Sequence, residues 1–272
     1  MMRALWTASS GMSSQQLGVD TIANNIANVN TVSFKRERVE FQSLLYDTMQ
    51  GAGQNPGAIG NVPANLQVGH GVRPISTTRN FTMGQLEPTG NNTDLAINGN
   101  GFFSIDMGGG NIGFTRDGSF ALSAADNQLT LVTTEGFPVL DINGGSITFP
   151  EDLNISSLNI DIVGNLIFGS DGGEIIDVGI QIGLVQFPNK QGLEAIGGNV
   201  FIQSPASGDP INEATDGVAS PSRLIQGHLE RSNVQIAEEM VNLIVSQRAF
   251  DLNSRIIQTA DDMLQQATNL RR

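Results

Sequence analysis

Two histidines, 27 carboxylates and no cysteine are the main side chains available for acid–base, nucleophilic or metal chemistry in this 272-residue sequence. His70 and His228 are far apart, and neither has a ligand at metal-binding spacing, so each reads as a structural or surface residue. Without cysteine there is no thiolate nucleophile and no disulfide. The glycine runs at 99–101 and 108–110 lack both the strand–loop–helix setting and the Lys-Ser/Thr pair of a phosphate loop, and read as hairpin turns. No Gly-x-Ser-x-Gly elbow occurs. Asp117, Asp126 and Asp171 sit beside turn residues, and 169–173 lacks the ligand spacing of a calcium loop. The expectation is a chain without catalytic residues, cofactor or metal.

The distribution of helix breakers is more informative. All ten prolines lie between Phe41 and Gly227, as do all of the 32 glycines except Gly11 and Gly18. Proline breaks a helix interior and glycine costs about 1 kcal/mol there relative to alanine, so both ends are free to be long helices. Each end carries a seven-residue apolar repeat: Leu5, Met12, Val19, Ile26 at the front, and Ile236, Leu243, Phe250, Ile257, Leu264 at the back. Such a repeat keeps one seam facing a partner helix. A second front row, Ala8, Gln15, Ile22, Val29, is partly polar, and the back row Ser246, Asn253, Ala260, Ala267 is small enough for close approach. Helices are expected over 3–28 and 233–270, the second opened by a capping box of Ser232 and Gln235.

The middle alternates short apolar runs with turn residues. Strands are expected at 94–98, 101–106, 112–116, 119–122, 128–133, 146–149, 158–162, 166–168, 175–187 and 200–203, with turns at Asp117-Gly118, Asn143-Gly144 and Asp171-Gly172. Residues 51–65, rich in Gly, Asn and Pro, read as an extended excursion. The predicted fold is α+β: long N- and C-terminal helices pairing in a coiled-coil-like layer, with an inserted antiparallel β domain. Three regions are expected: a terminal helical assembly domain (1–30 plus 231–272), a connecting region (31–80 plus about 215–230), and a β-rich outer domain (81–214).

Of the net charge of −13, residues 1–40 carry +1 and residues 228–272 carry −1, so the acidity lies in the middle. Near-neutral ends suit packing against copies of themselves, and an acidic body suits solvent. No basic patch favours nucleic acid, and no stretch approaches the ~18 apolar residues of a membrane span. Residues 7–16 lack the apolar core of a secretory signal. Lys35, Arg36 and Arg38 with Glu37 and Glu40 form a mixed-charge run, either a solvated face or a source of salt bridges to a neighbouring subunit.

The segment from Asn24 to Arg36, with Asn24-Asn25-Ile26-Ala27-Asn28, Thr31 and Phe34-Lys35, resembles the N-terminal signature of bacterial flagellar rod and hook proteins. The back end resembles the same family's C-terminal signature through Leu229-Glu230-Arg231-Ser232-Asn233-Val234, Glu238-Glu239-Met240-Val241, Gln247-Arg248-Ala249-Phe250 and Thr259 to Leu264. Val68 to Pro74, Gly99 to Phe103 and Phe114 to Phe120 are similar to the distal-rod branch of that family. Ser33 departs from the signature, which has glycine there; a positive φ at that site would strain serine.

The resemblance implies a structural subunit of the distal rod, assembling helically into the shaft that transmits torque and encloses the export channel. It implies export by the flagellar type III apparatus without a cleaved signal and a periplasmic place in the basal body. It also implies as partners other copies of the chain, proximal rod proteins, the hook protein and the surrounding P and L rings. The assembly interface expected from the repeats and signatures comprises Leu5, Met12, Val19, Ile22, Ile26, Asn28, Val29, Phe34, Lys35, Ile236, Met240, Leu243, Phe250, Ile257 and Leu264. A proximal rod or hook protein is the nearest alternative. A secreted adhesive β protein with coiled-coil ends is an alternative of another class.

Overall fold

Both ends are helical where the breakers are absent. The computed structural model describes residues 2–50, 66–125, 128–150, 158–169, 175–217 and 220–269. Its residues group into two compact units, one of Met1–Ala27, Glu37–Arg79 and Gln235–Arg272, the other of Asn28–Arg36 and Asn80–Val234. The excursion at 51–65 and the Asp171-Gly172 turn lie outside the described residues.

The first unit holds α1 (Met2–Ala27), β1 (Glu37–Ser43), β2 (Tyr46–Gln50), β3 (Leu66–Gly69), β4 (Val72–Arg79) and α2 (Ile236–Asn269). β1 and β4 form an antiparallel ribbon in register from Glu37↔Arg79 to Ser43↔Val72, bulged between Glu40 and Phe41 where Pro74 stands opposite. Proline donates no ladder hydrogen bond, so a bulge is a place where a ribbon tolerates it. β2 pairs with β3 from Tyr46↔Gly69. α2 starts at Ile236, three residues after the expected start, and the Ser232 hydroxyl accepts from Val234 N–H in a local turn. The helix opens beyond the expected capping box, and its first turn bonds Glu239 N–H to Gln235 O.

The second unit holds the strands β5 (Leu86–Pro88), β6 (Leu95–Asn98), β7 (Phe102–Asp106), β8 (Ile112–Thr115), β9 (Phe120–Ala125), β10 (Gln128–Thr133), β11 (Thr148–Pro150), β12 (Leu158–Ile160), β13 (Asn165–Gly169), β14 (Ile175–Gln181), β15 (Leu184–Gln186), β16 (Glu194–Gly197), β17 (Val200–Ile202), β18 (Ile211–Asn212), β19 (Arg223–Gln226) and β20 (His228–Glu230). The largest sheet runs β16-β17-β8-β7-β15-β18; three-stranded sheets β11-β10-β9 and β12-β13-β14 and the pairs β19-β6 and β20-β5 complete it. The run expected as one strand at 175–187 is two, β14 and β15. Between them Ile182 N–H bonds Gly164 O and Gly183 N–H bonds Leu140 O, outside either ladder.

β7 explains how one sheet serves two cores. Its alternation sends Phe103 and Ile105 into an apolar cluster with Leu95, Ile97, Phe120, Leu131 and Leu166. It sends Phe102 to the opposite face, with Phe114, Phe187 and Phe201. Ring edges meet ring faces there, at 4.8 Å for Phe114–Phe187 and 5.9 Å for Phe102–Phe187. Each such buried side chain contributes about 1.5–3 kcal/mol.

The first unit is different. Among its described residues the buried apolar side chains are Ala8, Val39 and Ala260 alone. No helix among the described residues is long and apolar enough to cross a membrane.

Candidate assembly interface

α1 and α2 touch through small and polar side chains. The buried residues of α1 are Ala8, Ser14 and Asn25, and those of α2 are Glu239 and Ala260. At Gly11 a Cβ would stand 2.9 Å from Asn253 Nδ2, so any larger residue would press on that amide. At the other end of α1, Asn25 acts as a short piece of strand edge. Its Oδ1 accepts from Glu37 N–H at 2.9 Å, its Nδ2 donates to Glu37 O at 2.8 Å, and Nδ2 also reaches Glu239 Oε2 at 3.4 Å. Glu37 in turn is paired with Arg79 across the ribbon. The ribbon lies along α1: the Phe41 ring meets Gly18, and Gly71, at φ 110°, meets Ser10, where a side chain on residue 71 would have no room.

The expected interface residues divide by exposure. Leu5, Met12, Val19, Ile22 and Ile26 of α1, and Leu243, Ile257 and Leu264 of α2, are half-buried. Ile236, Met240 and Phe250 are exposed. Val19 and Phe250, with Gln16, Gln247 and Asp251, line a groove of about 420 Å³. A second apolar stripe on α2, absent from the repeat reading apart from Met240, faces away from α1. Val241 is 59% exposed, Ile244 54%, Val245 61%, Leu252 60% and Ile256 46%. A seven-residue count anchored on the best-aligned row misses it because, of its members, only Val245 and Leu252 stand seven residues apart. Trp6 of α1 is also exposed.

The remaining expected residues belong to the second unit. Asn28 and Val29 are half-buried, and Asn28 Oδ1 accepts from the Thr31 hydroxyl. Phe34 is half-buried, and Lys35 has no exposed side-chain surface. Lys35 Nζ donates to Glu230 Oε1 at 2.6 Å and to Thr82 O at 3.0 Å. Glu230 Oε2 accepts from Arg116 Nε at 3.0 Å, and Gly84 N–H donates to Oε1. Arg116 completes its fork on the carbonyls of Ile97, Gly99 and Gly101. Burial lowers the Lys35 pKa to about 8, against the attraction of Glu230 and with the Arg116 charge adding to the fall. Burial alone would raise Glu230, but Arg116 and Lys35 outweigh it and hold its carboxyl below the usual value.

Asn233 and Ser33 bond beside this cluster within the same unit. Asn233 Nδ2 donates to Asn80 O and Thr82 O, and its Oδ1 accepts from Arg36 N–H. Ser33, with φ 55°, donates its N–H to Glu230 O and its hydroxyl to Arg116 O at 2.6 Å. The strain expected for serine at this site is therefore present, set against a buried hydrogen bond. Sequence reasoning quoted Arg116, Glu230 and Asn233 within signatures but gave them no role. The mixed-charge run, read as solvated or intersubunit, pairs within the chain at Lys35–Glu230, Arg38–Glu40 and Arg79–Glu37.

Comparison with known proteins places these elements. Residues 5–35 match the model of the flagella basal body rod protein, 96–168 the flagellar hook protein FlgE/F/G D1 domain, and 225–270 the flagellar basal body rod FlgEFG protein C-terminal. The matches define the class, the rod and hook proteins of the bacterial flagellum. Over its whole length the chain is 46% identical across 273 residues to flagellar basal-body rod protein FlgG of Borreliella burgdorferi, covering 100% of both chains. It is 42% identical over 271 residues to FlgG of Buchnera aphidicola subsp. Schizaphis graminum (99% and 100%) and 40% over 272 to FlgG of Bacillus subtilis (100% of both). The chain belongs to the flagellar basal-body rod protein FlgG family, whose members are structural subunits rather than enzymes.

Proposed function

We propose that this chain is a distal-rod subunit whose helical unit completes its core only against other copies. The observation carrying this is the contrast between the units: the β-rich unit encloses two apolar clusters, while α1 and α2 bury only Ala8 and Ala260 among apolar side chains and leave the Val241–Ile256 stripe in water. Five half-exposed aliphatic side chains on one helix face, with Arg248 among them, form a surface of the kind that marks a contact with another chain. The small and polar contacts of α1 and α2 form the seam within one subunit, the half-buried rows headed by Leu5 and Leu243, with Phe250 at the groove, flank it, and the outer stripe meets the next subunit. Repeated around an axis, the helices pair in a coiled-coil-like layer lining the export channel. The rod so formed transmits torque to the hook. Its neighbours are proximal rod proteins, the hook protein and the P and L rings, its place is the periplasm, and it arrives through the flagellar type III apparatus.

Electron microscopy and sedimentation of the purified, concentrated chain test this. The parent is expected to form straight filaments. Val245→Asp places an unpaired charge in the contact, costing several kcal/mol per subunit, and is expected to stay monomeric with an unaltered β unit. Filaments formed by the variant as readily as by the parent would overturn the reading.

A further inference from the structure

Fourteen residues separate Gly11 from Asn25 in α1, and fourteen separate Glu239 from Asn253 in α2. Asn25 meets Glu239, and Gly11 meets Asn253. The two antiparallel helices therefore hold one register over two heptads, a length of about 21 Å at 1.5 Å per residue. At one end the contact is polar and directional, with an asparagine whose donor and acceptor are both used. At the other it is steric, a glycine facing an amide.

From this we infer that Asn25–Glu239 and Gly11–Asn253 form a two-point latch that sets the axial register of α1 against α2. These are positioning residues: none lies on the exposed stripe. Their effect is to fix where that stripe stands relative to α1 and the β1–β4 ribbon, so the inference rests on the assembly reading above. The aliphatic rows that flank the contact cannot supply the register. Rows of half-buried aliphatic side chains repeating every seven residues fit nearly as well after a slip of one heptad, as in coiled coils whose register is fixed by a single polar residue. A slip by one heptad would part Asn25 from Glu239 in either direction; in one it would set Asn253 against Ala4, and in the other against Gly18, where the Phe41 ring already stands. Asn25 ties the latch to the ribbon as well, because both Glu37 backbone groups depend on it.

The absence of cysteine allows clean site-specific spin labelling. Ser9 and Arg255 are both exposed and lie opposite each other in this register. The full-length chain labelled at Ser9→Cys and Arg255→Cys is expected to give one narrow distance by double electron–electron resonance. Asn25→Ala is expected to broaden the distribution or add a second, longer-distance population from helices slid by one heptad, about 10 Å along the axis. Gly11→Asn should do the same, and Gly11→Asn with Asn253→Gly, which exchanges the bulky and the small member, should restore the single distance. A purely structural role would lower the melting temperature of Asn25→Ala and leave the distance alone. A broad distance in the parent, or an unchanged one in both single variants, overturns the latch. Electron micrographs of the parent separate the two readings: filaments with an unfixed distance sink the latch alone, and a fixed distance without filaments sinks the assembly reading alone.

Discussion

Glu230 Oε1 accepts a 2.6 Å hydrogen bond from Lys35 Nζ across 195 residues of sequence, and neither side chain has any exposed surface. With Arg116 on the other oxygen, the cluster carries two positive charges against one negative. Breaking a buried ion pair by removing one partner costs about 3–5 kcal/mol, because the remaining charge is left uncompensated. Glu230→Ala is expected to destabilise the β unit by that amount in urea denaturation. A loss below 1 kcal/mol would show that the cluster is solvated in practice.

The same cluster sets a pH dependence of known sign. Lys35 has its pKa depressed to about 8 in the folded chain from 10.5, so between those values the unfolded state binds the extra proton and stability rises with pH. Glu230 is held low when folded, so its contribution is present above about 4.5 and is lost as pH falls through the folded value. Stability of the β unit measured from pH 7.5 to 10.5 should therefore carry a rising contribution that Lys35→Met removes. Identical pH profiles for parent and variant would contradict this.

Ser33 separates strain from hydrogen bonding. At φ 55°, glycine relieves about 1 kcal/mol of strain but removes the hydroxyl bonded to Arg116 O, so Ser33→Gly is expected to change stability by less than about 1 kcal/mol. Ser33→Ala keeps the strain and loses the bond, and should cost about 1–3 kcal/mol. Chemical denaturation that ranks alanine at or above glycine would refute the balance.

The ends were legible because helix formation there needs only the absence of breakers and a recurring apolar row. The strands at 101–106 and 128–133 were legible from alternation and turn residues. The ribbon of β1 and β4 was not: Lys35 to Glu40 read only as a mixed-charge run, and the bulge opposite Pro74 breaks the alternation by which a strand is recognised. The buried role of Lys35 was hidden for a related reason. A lysine beside Arg36 and Glu37 looks solvated until the distant Glu230 is known to reach it. The outer stripe of α2 escaped because two apolar faces share one helix, and a repeat count finds the stronger one.

The boundary of the β unit is also testable. A fragment of residues 28–234 retains Ser33, Lys35, Glu230 and Asn233, and is expected to unfold cooperatively. A fragment of residues 37–234 lacks the first two and should be several kcal/mol less stable. Equal denaturation midpoints for the two would place the cluster outside the cooperative core.

Hydrogen exchange of the full-length chain, free and in the sedimented polymer, tests the central claim most directly. If the helical unit completes its core between copies, amides of α2 from Val241 to Ile256 should exchange rapidly in the free chain and slow by at least tenfold in the polymer, while β7 and β8 stay equally protected in both. Equal protection of α2 in the two states would contradict the account, because the helices would then be complete within a single chain.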